Sequence, residues 1–356
     1  MKTAAQPLVS IVTPVHNEAK YLAECIEGVL AQTYKNWDYT IVDNCSDDGS
    51  VEIARRYAAK DRRIQIRQTQ QLLSAIANHN FALRQICPAS KYCKIVFGDD
   101  WVFPECLERM VTVAERHPSV GIVSAYALEG QQVNWTGLPY PATLISGREI
   151  CRKHFLEGVY VFGTPTTVLY RADLVRSHDP FYNEGNIHAD TEVCFALLKS
   201  WDFAFVHQVL SFTRARQESL SRIAADINAH FGAMLHLLAT YGTHYLSHEE
   251  LEDRLDSHLS EYYSFLGKSL LLGRDKKFWE YHKQQLNQAG VGFSRFRLAK
   301  GAITTLCGAA LSPKDSIKKL LKRRDNLNAT EAVQCHEMKP LAPASFKGIQ
   351  TPPNAW

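Results

Sequence analysis

The sequence predicts an α/β fold: a mainly parallel sheet flanked by helices, followed by a C-terminal α-helical extension. Three observations support this prediction. Short apolar, β-branched segments alternate with segments of helical periodicity over the first hundred residues. Polar clusters follow the apolar segments, where the strands of a parallel sheet would end. From about residue 223 to about residue 286, helical periodicity replaces the alternation.

The first elements follow each other in strand and helix order. Leu8 to Thr13 has the pattern of a buried strand that stops at Pro14, and the helix after it places Leu22, Ile26, Val29 and Leu30 on one face. The elements predicted next are a strand at 39–42, a helix at 51–57, a strand at 64–67, a helix at 74–85 and a strand at 94–97. Because ligands of such sheets collect at the carboxyl ends of the strands, we expect the functional site there.

Beyond residue 107 the alternation is weaker. The elements predicted here are strands at 121–125, 166–170 and 203–207, a loop at 137–147 and a helix at 190–201. We therefore divide the chain into a catalytic domain at 1–222, a helical region with a basic amphipathic segment at 223–325, and a disordered tail at 326–356.

Composition limits the possible functions. The chain has 356 residues, of which 46% are hydrophobic and 22% charged, as in an ordinary globular protein. A net charge of +3 is too mild to indicate a nucleic-acid partner. The nine cysteines form no CxxC pair, so we expect reduced thiols, no zinc site and no disulfide framework.

We predict a cytoplasmic location. The segment MKTAAQPLVSIVTP has one lysine and a short apolar run, which does not fit a secretory signal, and no apolar run reaches 18 residues. Residues 294–324 place apolar and small residues between basic flanks. This segment could lie peripherally on an anionic membrane, or it could be a helix packed on its own protein with a solvated basic face.

Asp99 and Asp100 stand side by side directly behind an apolar strand. Two adjacent carboxylates repel each other, so a bound cation is expected there. Their oxygens suit Mg²⁺ or Mn²⁺, which completes its shell from phosphate and water. The alternative is that the acids open a helix whose first turn holds Pro104.

No glycine-rich phosphate loop follows the first strand, since neither GxGxxG nor GxxxxGK[ST] occurs there. A nucleotide would therefore be held differently. Asp43 ends the second strand and could accept hydrogen bonds from a base or ribose, while Asp99 and Asp100 could hold a metal ion against a diphosphate.

Taken in order, these motifs resemble glycosyltransferase family 2 over roughly residues 8–220. The matching residues are Pro14-Val15-His16-Asn17-Glu18 with Leu22, then 42–50 (VDNCSDDGS), Asn80, Gly98-Asp99-Asp100-Trp101, Pro104 and Leu107. The resemblance implies a GT-A fold and inverting transfer of a hexosyl or hexosaminyl group from a nucleotide-diphosphate sugar. It also implies a glycan or lipid-linked acceptor, in polysaccharide or cell-envelope biosynthesis.

The resemblance also implies roles for individual residues. Asp43 would contact the base, Asp99 the ribose or diphosphate, and Asp100 the metal ion, while the donor-nucleotide pocket would be lined by Pro14, Asn17 and Glu18. Asp48 and Ser50 match the motif as well, but the segment 47–50 could be only a turn with a helix cap.

Two positions near this site depart from the family pattern. Phe97 stands where many members have the first acid of DxDD, and His79 stands where many have an arginine before the asparagine. Asp99 and Asp100 then remain as the main acidic ligands.

The catalytic base implied by the resemblance is Asp190, because inverting transfer needs a group that removes the acceptor hydroxyl's proton. Ala189 replaces the glutamate of the family's Glu-Asp pair. Asp190 could instead be a helix N-cap, in which case Glu192 or His188 could substitute as base. Gly163 and Thr164 match a turn that borders the acceptor site.

Arg214 and Arg216 resemble a basic loop of the family, although Arg216 departs from its usual Arg-x-His pattern. Guanidinium groups suit a diphosphate, but two arginines are also ordinary surface residues. Two other functions stay open. One is a sugar nucleotidyltransferase, and the other is a noncatalytic scaffold that binds a nucleotide sugar, which the missing acids at Phe97 and Ala189 favour.

Overall fold

The computed structural model describes residues 6–134, 137–214 and 224–311 of the chain. A ten-stranded sheet forms its centre, in the order β3-β2-β1-β4-β9-β6-β10-β5, with β7 beside β6 and β8 beside β10. The strands are β1 (Val9–Val15), β2 (Trp37–Asp43), β3 (Ile64–Gln68), β4 (Tyr92–Ile95), β5 (Trp101–Val102), β6 (Val120–Glu129), β7 (Gln132–Asn134), β8 (Leu144–Ile145), β9 (Leu169–Arg171) and β10 (Asp202–Thr213).

The sheet is mixed, and its longest ladders are parallel. Strands β3, β2, β1 and β4 pair in parallel, and so do β6 and β10. Shorter antiparallel ladders attach β5, β7, β8 and β9. The predicted mainly parallel sheet is confirmed, and the antiparallel strands β7, β8 and β9 lie beyond residue 107, where the sequence alternation is weak.

Helices cover the sheet and then extend beyond it. They are α1 (Leu22–Leu30), α2 (Ser50–Ala58), α3 (Ala75–Leu83), α4 (Cys106–Arg116), α5 (Gly147–Glu157), α6 (Ala172–Ser177), α7 (Ala189–Leu197), α8 (His230–Tyr245), α9 (His248–Leu271), α10 (Lys276–Gln288) and α11 (Arg295–Leu311). In the described part of the chain, none of them is long and apolar enough to cross a membrane.

Two apolar cores lie on the two faces of the sheet. Val12 and Ile95 belong to one core, whereas their strand neighbours Ile11 and Val96 belong to the other. Alternate side chains of a strand point to opposite faces, so this division follows from the strand period of two. The sheet is therefore buried on both sides, and its strand ends are the places left for a ligand.

The helical region is packed against the sheet domain. Leu237, Leu238 and Tyr241 of α8 belong to the same core as α5 and α7, while α9 and α10 form a third core around Tyr262 and Phe278. The division predicted between residues 222 and 223 stays a prediction because it falls outside the described residues, as does the tail at 326–356.

Several strand predictions differ from the structure in their ends. Strand β1 continues through Pro14 to Val15, and β6 continues to Glu129. Strand β4 ends at Ile95, so Phe97 lies in a turn whose Asp100 N–H donates to the Phe97 carbonyl (3.0 Å). The segment predicted as a strand at 166–170 begins as a 3₁₀ turn at Pro165–Thr167, where proline fixes φ and has no N–H for a ladder. Strand β10 runs on to Thr213, beyond the predicted end at 207. Register shifts interrupt its side-chain alternation, so the sequence pattern does not show that the strand continues.

Candidate active site

The loops after β1 and β2 are joined by hydrogen bonds around Asn17. Asn17 has φ of 56°, a conformation that asparagine tolerates better than most residues. Its backbone N–H donates to Ser46 Oγ (2.9 Å), and its side-chain oxygen accepts from the Asp47 N–H (3.0 Å). Asn17 therefore holds together the loops at the carboxyl ends of β1 and β2.

Residues 47–50 form a turn that holds the loop after β1. The Glu18 N–H donates to Ser50 Oγ (2.9 Å), and the Ala19 N–H donates to Asp48 Oδ2 (2.8 Å). Asp48 Oδ1 accepts from the hydroxyl of Ser50 (2.6 Å). Asp48 and Ser50 therefore stabilise the turn. This agrees with the alternative that residues 47–50 are a turn before a helix.

Asp43 is only 2% exposed at the end of β2, where it pairs with Val15 of β1. Its Oδ2 accepts hydrogen bonds from the Ser46 N–H (3.4 Å) and from Gln68 Nε2 (3.3 Å). Its Oδ1 is buried and has no hydrogen-bond partner. An unsatisfied buried acceptor is costly, so this oxygen suits a donor group of a bound base or ribose.

Asp100 is held from two sides. Its Oδ2 accepts from the Thr166 hydroxyl (2.7 Å), its Oδ1 accepts from the Arg214 backbone N–H (3.0 Å), and the residue is 2% exposed. Burial, together with the charge of Asp99, raises the pKa of Asp100 to about 7. Asp100 therefore joins β4, β10 and the 165–167 turn.

Sequence reasoning missed the roles of Lys94 and Thr166. The Thr166 hydroxyl donates to Asp100, and Lys94 in turn donates to the Thr166 carbonyl. Lys94 is fully buried in β4, and its ammonium group donates to the carbonyl groups of Thr166 and Val168 (3.0 Å to the latter). Burial lowers the pKa of Lys94. A lysine inside an apolar strand was the available signal, because a buried cation needs polar partners.

Arg214 lies on the same rim as the carboxyl pair. Its Nε donates to the Asp99 carbonyl (3.1 Å), and its Nη2 donates to Glu24 Oε2 (2.8 Å). The guanidinium also packs 4.2 Å from the ring centre of Tyr21. Arg214 can thus place positive charge beside the carboxyl pair. Arg216 lies outside the described residues, so its diphosphate role stays a prediction.

Glu18 connects the first loop to the Asp99-Asp100 turn. A Cβ atom added to Gly98 would lie 3.1 Å from Glu18 Cγ, so the side chain of Glu18 packs against this turn. Since β2, β1 and β4 are parallel neighbours, their carboxyl ends bring the predicted donor residues to one edge of the sheet. These residues are Pro14, Asn17, Glu18, Asp43 and Asp99.

A metal ion at this edge would need ligands from outside the protein. Across residues 6–134, 137–214 and 224–311, no three His, Cys, Asp or Glu side chains form a metal-binding group. Mg²⁺ and Mn²⁺ commonly take one or two carboxylates plus phosphate oxygens and water, which fits Asp99 with Asp100. Asp99 is the more exposed of the two, so it is better placed for the contact than Asp100.

Asp190 lies beside a cavity of about 360 Å³ whose wall it shares with Phe97, Thr164 and His188. Burial raises the pKa of Asp190 to about 6. Helix α7 begins at Ala189, and Asp190 Oδ1 accepts a hydrogen bond from the next residue's N–H, that of Thr191 (2.8 Å). This bond differs from an N-cap bond, which would reach two or three residues into the helix.

Glu192, the alternative base, is occupied by structural contacts. Its carboxylate accepts from Asn183 (3.1 Å) and Asn186 (2.8 Å) and contacts His236 of α8 (3.0 Å). Glu192 therefore fixes α7 to the preceding loop and to the helical region. His188 does line the cavity, where burial lowers its pKa.

The 160–167 segment ties the cavity to α7. Tyr160 Oη donates to the Gly163 carbonyl (3.1 Å) and lies 3.1 Å from Thr191 Oγ1. Thr164 lines the cavity, and its Oγ1 is buried without a hydrogen-bond partner. The predicted acceptor-side residues Gly163 and Thr164 are thus close to Asp190.

Asn80 has a structural role that the sequence did not reveal. Its Nδ2 donates to the Tyr182 carbonyl and its Oδ1 accepts from the Tyr182 N–H, both at 2.8 Å. Such a reciprocal pair imitates a strand ladder, and it fixes the loop that leads into α7. Asn80 therefore positions the segment that carries Asp190.

Gly163→Ala is expected to lower the free energy of unfolding by about 3 kcal/mol. Gly163 has φ of 71°, and an added Cβ would lie 2.1 Å from Thr167 Oγ1. The matched control is Gly158→Ala, since Gly158 has φ of 70° with nothing within 4 Å of an added Cβ. Urea unfolding should show the larger loss for Gly163→Ala, and equal losses would contradict the steric argument.

Comparison with known proteins agrees with this geometry. Residues 10–178 match the family model described as glycosyl transferase family 2. Residues 10–178, just under half of the chain, are thus similar to glycosyltransferase family 2. The putative glycosyltransferase EpsE of Bacillus subtilis (strain 168) is 32% identical over 154 residues, which cover 41% of this chain and 54% of EpsE. The chain thus spans about half the length of this relative.

Solved structures share the fold of the glycosyltransferase family 2 domain. S. aureus TarS 1-349 in complex with UDP-GlcNAc has a TM-score of 0.58 at 16% identity, over 83% of this chain and 87% of that one. The mannosyltransferase PcManGT from Pyrobaculum calidifontis, in complex with GDP-Man and Mn2+, has a TM-score of 0.51 at 14% identity, over 92% and 87%. The predicted GT-A-type fold is confirmed, and the predicted family resemblance is supported by the match over residues 10–178.

Proposed function

We propose that the protein is a metal-dependent, inverting glycosyltransferase that moves a sugar from a nucleotide-diphosphate donor to a hydroxyl of a glycan or lipid-linked acceptor. The observation that carries the proposal is the position of Asp190 at the wall of a cavity that also contains Phe97. Phe97 opens the turn that ends in the Asp99-Asp100 pair. The proposed base and the residue that opens the Asp99-Asp100 turn therefore line one cavity.

At the donor end, each group has a suitable chemistry. The unpartnered Oδ1 of Asp43 would accept a hydrogen bond from the base or ribose. Asp99, supported by Asp100, would hold Mg²⁺ or Mn²⁺, which when bound supplies positive charge against the leaving diphosphate. The guanidinium of Arg214, beside Asp99, would add further positive charge near the leaving diphosphate.

At the reacting end, Asp190 would act as general base. An ionised Asp190 takes the proton of the acceptor hydroxyl while the hydroxyl oxygen attacks the anomeric carbon, and the bond from that carbon to the diphosphate breaks. A base works best when its pKa is near the operating pH, and the raised pKa of Asp190, about 6, meets this condition. No protein nucleophile takes part.

A donor screen tests this proposal. Purified protein with Mn²⁺ is incubated with UDP-, GDP- and dTDP-sugars, and released nucleoside diphosphate is measured. We expect release from at least one donor. Binding of donors without release would instead favour the scaffold, and formation of a nucleotide sugar from a sugar phosphate and a nucleoside triphosphate would favour the nucleotidyltransferase.

We further propose that the C-terminal helices contact an anionic membrane, which would give access to a lipid-linked acceptor. Several large apolar side chains are exposed there: Leu270 (48%), Leu271 (47%), Leu272 (44%), Phe296 (80%), Ile303 (60%) and Leu306 (53%). Arg295 and Arg297 flank Phe296, and Arg274, Lys276 and Lys277 follow the leucines. Apolar residues with basic neighbours suit the headgroup region of such a membrane. Residues 312–324 of the basic segment lie outside the described residues.

Phe296→Ser combined with Ile303→Ser is expected to weaken binding to phosphatidylglycerol-containing vesicles at least about tenfold, since each buried apolar side chain contributes about 1.5 kcal/mol or more. Flotation of the protein with vesicles measures the binding. Leu72→Ser is the control, because Leu72 is 62% exposed but lies outside the C-terminal helices. Equal binding of the double variant and the control would contradict the membrane contact.

A further inference from the structure

Two of the positions that depart from the family pattern, His79 and Phe97, lie against each other. The ring centres of His79 and Phe97 are 4.8 Å apart with planes inclined by 30°, and Tyr182 lies edge-on to His79 at 6.3 Å. All three rings line the cavity beside Asp190. The two departures therefore form one feature, an aromatic wall where an arginine and an aspartate would be expected from the family pattern.

This cavity carries little charge. Burial lowers the pKa of His79 to about 4 and also lowers the pKa of His188 and His230, so these three imidazoles are neutral near pH 7. Within the described ranges, no lysine or arginine lines the cavity, and Asp190 is the one carboxylate. A negatively charged substituent would be repelled by Asp190. None of these lining residues would offer it a cation.

Few unpartnered polar groups belong to the residues that line the cavity. Thr164 and His188 both line it, and Thr164 Oγ1 and His188 Nε2 are buried without a hydrogen-bond partner. Ile76, Pro165 and Ile187 complete the apolar part of the wall. A few unpartnered polar atoms in an apolar wall are typical of a site for an uncharged ligand.

The proposed function identifies the part of the substrate that fills this space. The anomeric carbon is bonded to the diphosphate and attacked by the hydroxyl at the base, so the transferred sugar must lie between Asp99 and Asp190. Phe97 is two residues from Asp99 and shares the cavity with Asp190. The cavity is thus the place of the transferred sugar.

We propose that the His79–Phe97 ring pair makes the enzyme selective for an uncharged sugar with an apolar substituent, such as an N-acetylated or deoxy hexose, and against a uronate. The inference rests on the proposed function. A methyl group gains by burial against the aromatic wall, whereas a uronate carboxylate would lose its hydration without gaining a cation from the described lining residues. Selection by an unfavourable buried charge is a common route to specificity.

Donor competition on the full-length protein tests the selectivity. UDP-GlcNAc is compared with UDP-glucuronate, and GDP-fucose with GDP-mannuronate, by the ratio of kcat/KM within each pair. We expect the uncharged donor of the accepted base to be preferred at least about a hundredfold. An equal or preferred uronate would overturn the inference while leaving the proposed function intact, whereas no release from any sugar nucleotide would contradict the proposed function itself.

A variant tests the role of the ring pair. His79→Arg places a cation at the wall and is expected to reduce the preference for the uncharged donor about tenfold. An unchanged ratio in a folded His79→Arg protein would overturn the assignment to this pair. If that variant does not fold, the wild-type donor ratio still decides the selectivity.

Discussion

Replacing Asp190 with asparagine is expected to lower the rate of sugar transfer at least about a hundredfold, with donor binding and fold retained. Asparagine has nearly the same shape and still offers an oxygen to the Thr191 N–H, which donates to Asp190 Oδ1 at 2.8 Å. It cannot take a proton from the acceptor hydroxyl. Single-turnover transfer and calorimetric donor binding, measured on the same preparation, separate the two effects.

The pH dependence gives a second measure of the same residue. Burial raises the pKa of Asp190 to about 6, so the carboxyl is protonated and inactive as a base below that pH and ionised above it. The kcat/KM of the wild type should therefore rise with pH through about 6 and then level off. The rise should be absent from the residual activity of Asp190→Asn.

Glu192→Gln is the matched control for Asp190. Glu192 is bonded to Asn183, Asn186 and His236, and these contacts lower its pKa although burial acts in the opposite direction. Its loss should reduce the stability of the protein but preserve the pH profile of transfer. Transfer retained in Asp190→Asn and lost in Glu192→Gln would move the base to Glu192.

The parts of the fold that sequence reasoning predicted are those encoded by local patterns. Strands β1 to β4 and the helices between them follow from runs of apolar residues and their spacing. The clustering of Asn17, Asp43 and Asp99 follows from one rule, that parallel strands end at the same edge of a sheet. These predictions needed no knowledge of which distant residues touch.

The parts that could not be predicted depend on contacts between distant segments. Thr166 bonds Asp100 across 66 residues of chain, and the ring contact of His79 with Phe97 has no local signature. The antiparallel strand β9 and the bulges of β10 are likewise set by pairing and not by periodicity. In each case a short sequence segment is compatible with several structures, and tertiary packing selects one.

The second large effect is expected from substitutions in the Asp99-Asp100 pair. Replacement of Asp99 should lower activity, whereas replacement of Asp100 should lower stability. Asp99→Asn should reduce metal-dependent release of the nucleoside diphosphate at least about a hundredfold while leaving the unfolding transition unchanged, because Asp99 is partly exposed and holds the metal ion in the proposed function. Titration of the wild type and of Asp99→Asn with Mn²⁺, in the presence of nucleoside diphosphate, measures the loss of metal affinity.

Asp100→Asn should instead act mainly on stability. Both oxygens of Asp100 accept hydrogen bonds, one from the Thr166 hydroxyl and one from the Arg214 N–H, whereas an asparagine has a single acceptor oxygen. One of these bonds is lost, which should lower the free energy of unfolding by about 1–3 kcal/mol. If Asp100→Asn abolished Mn²⁺ binding with an unchanged urea midpoint, and Asp99→Asn kept it, then Asp100 would be the metal ligand and its contacts with Thr166 and Arg214 would only orient it.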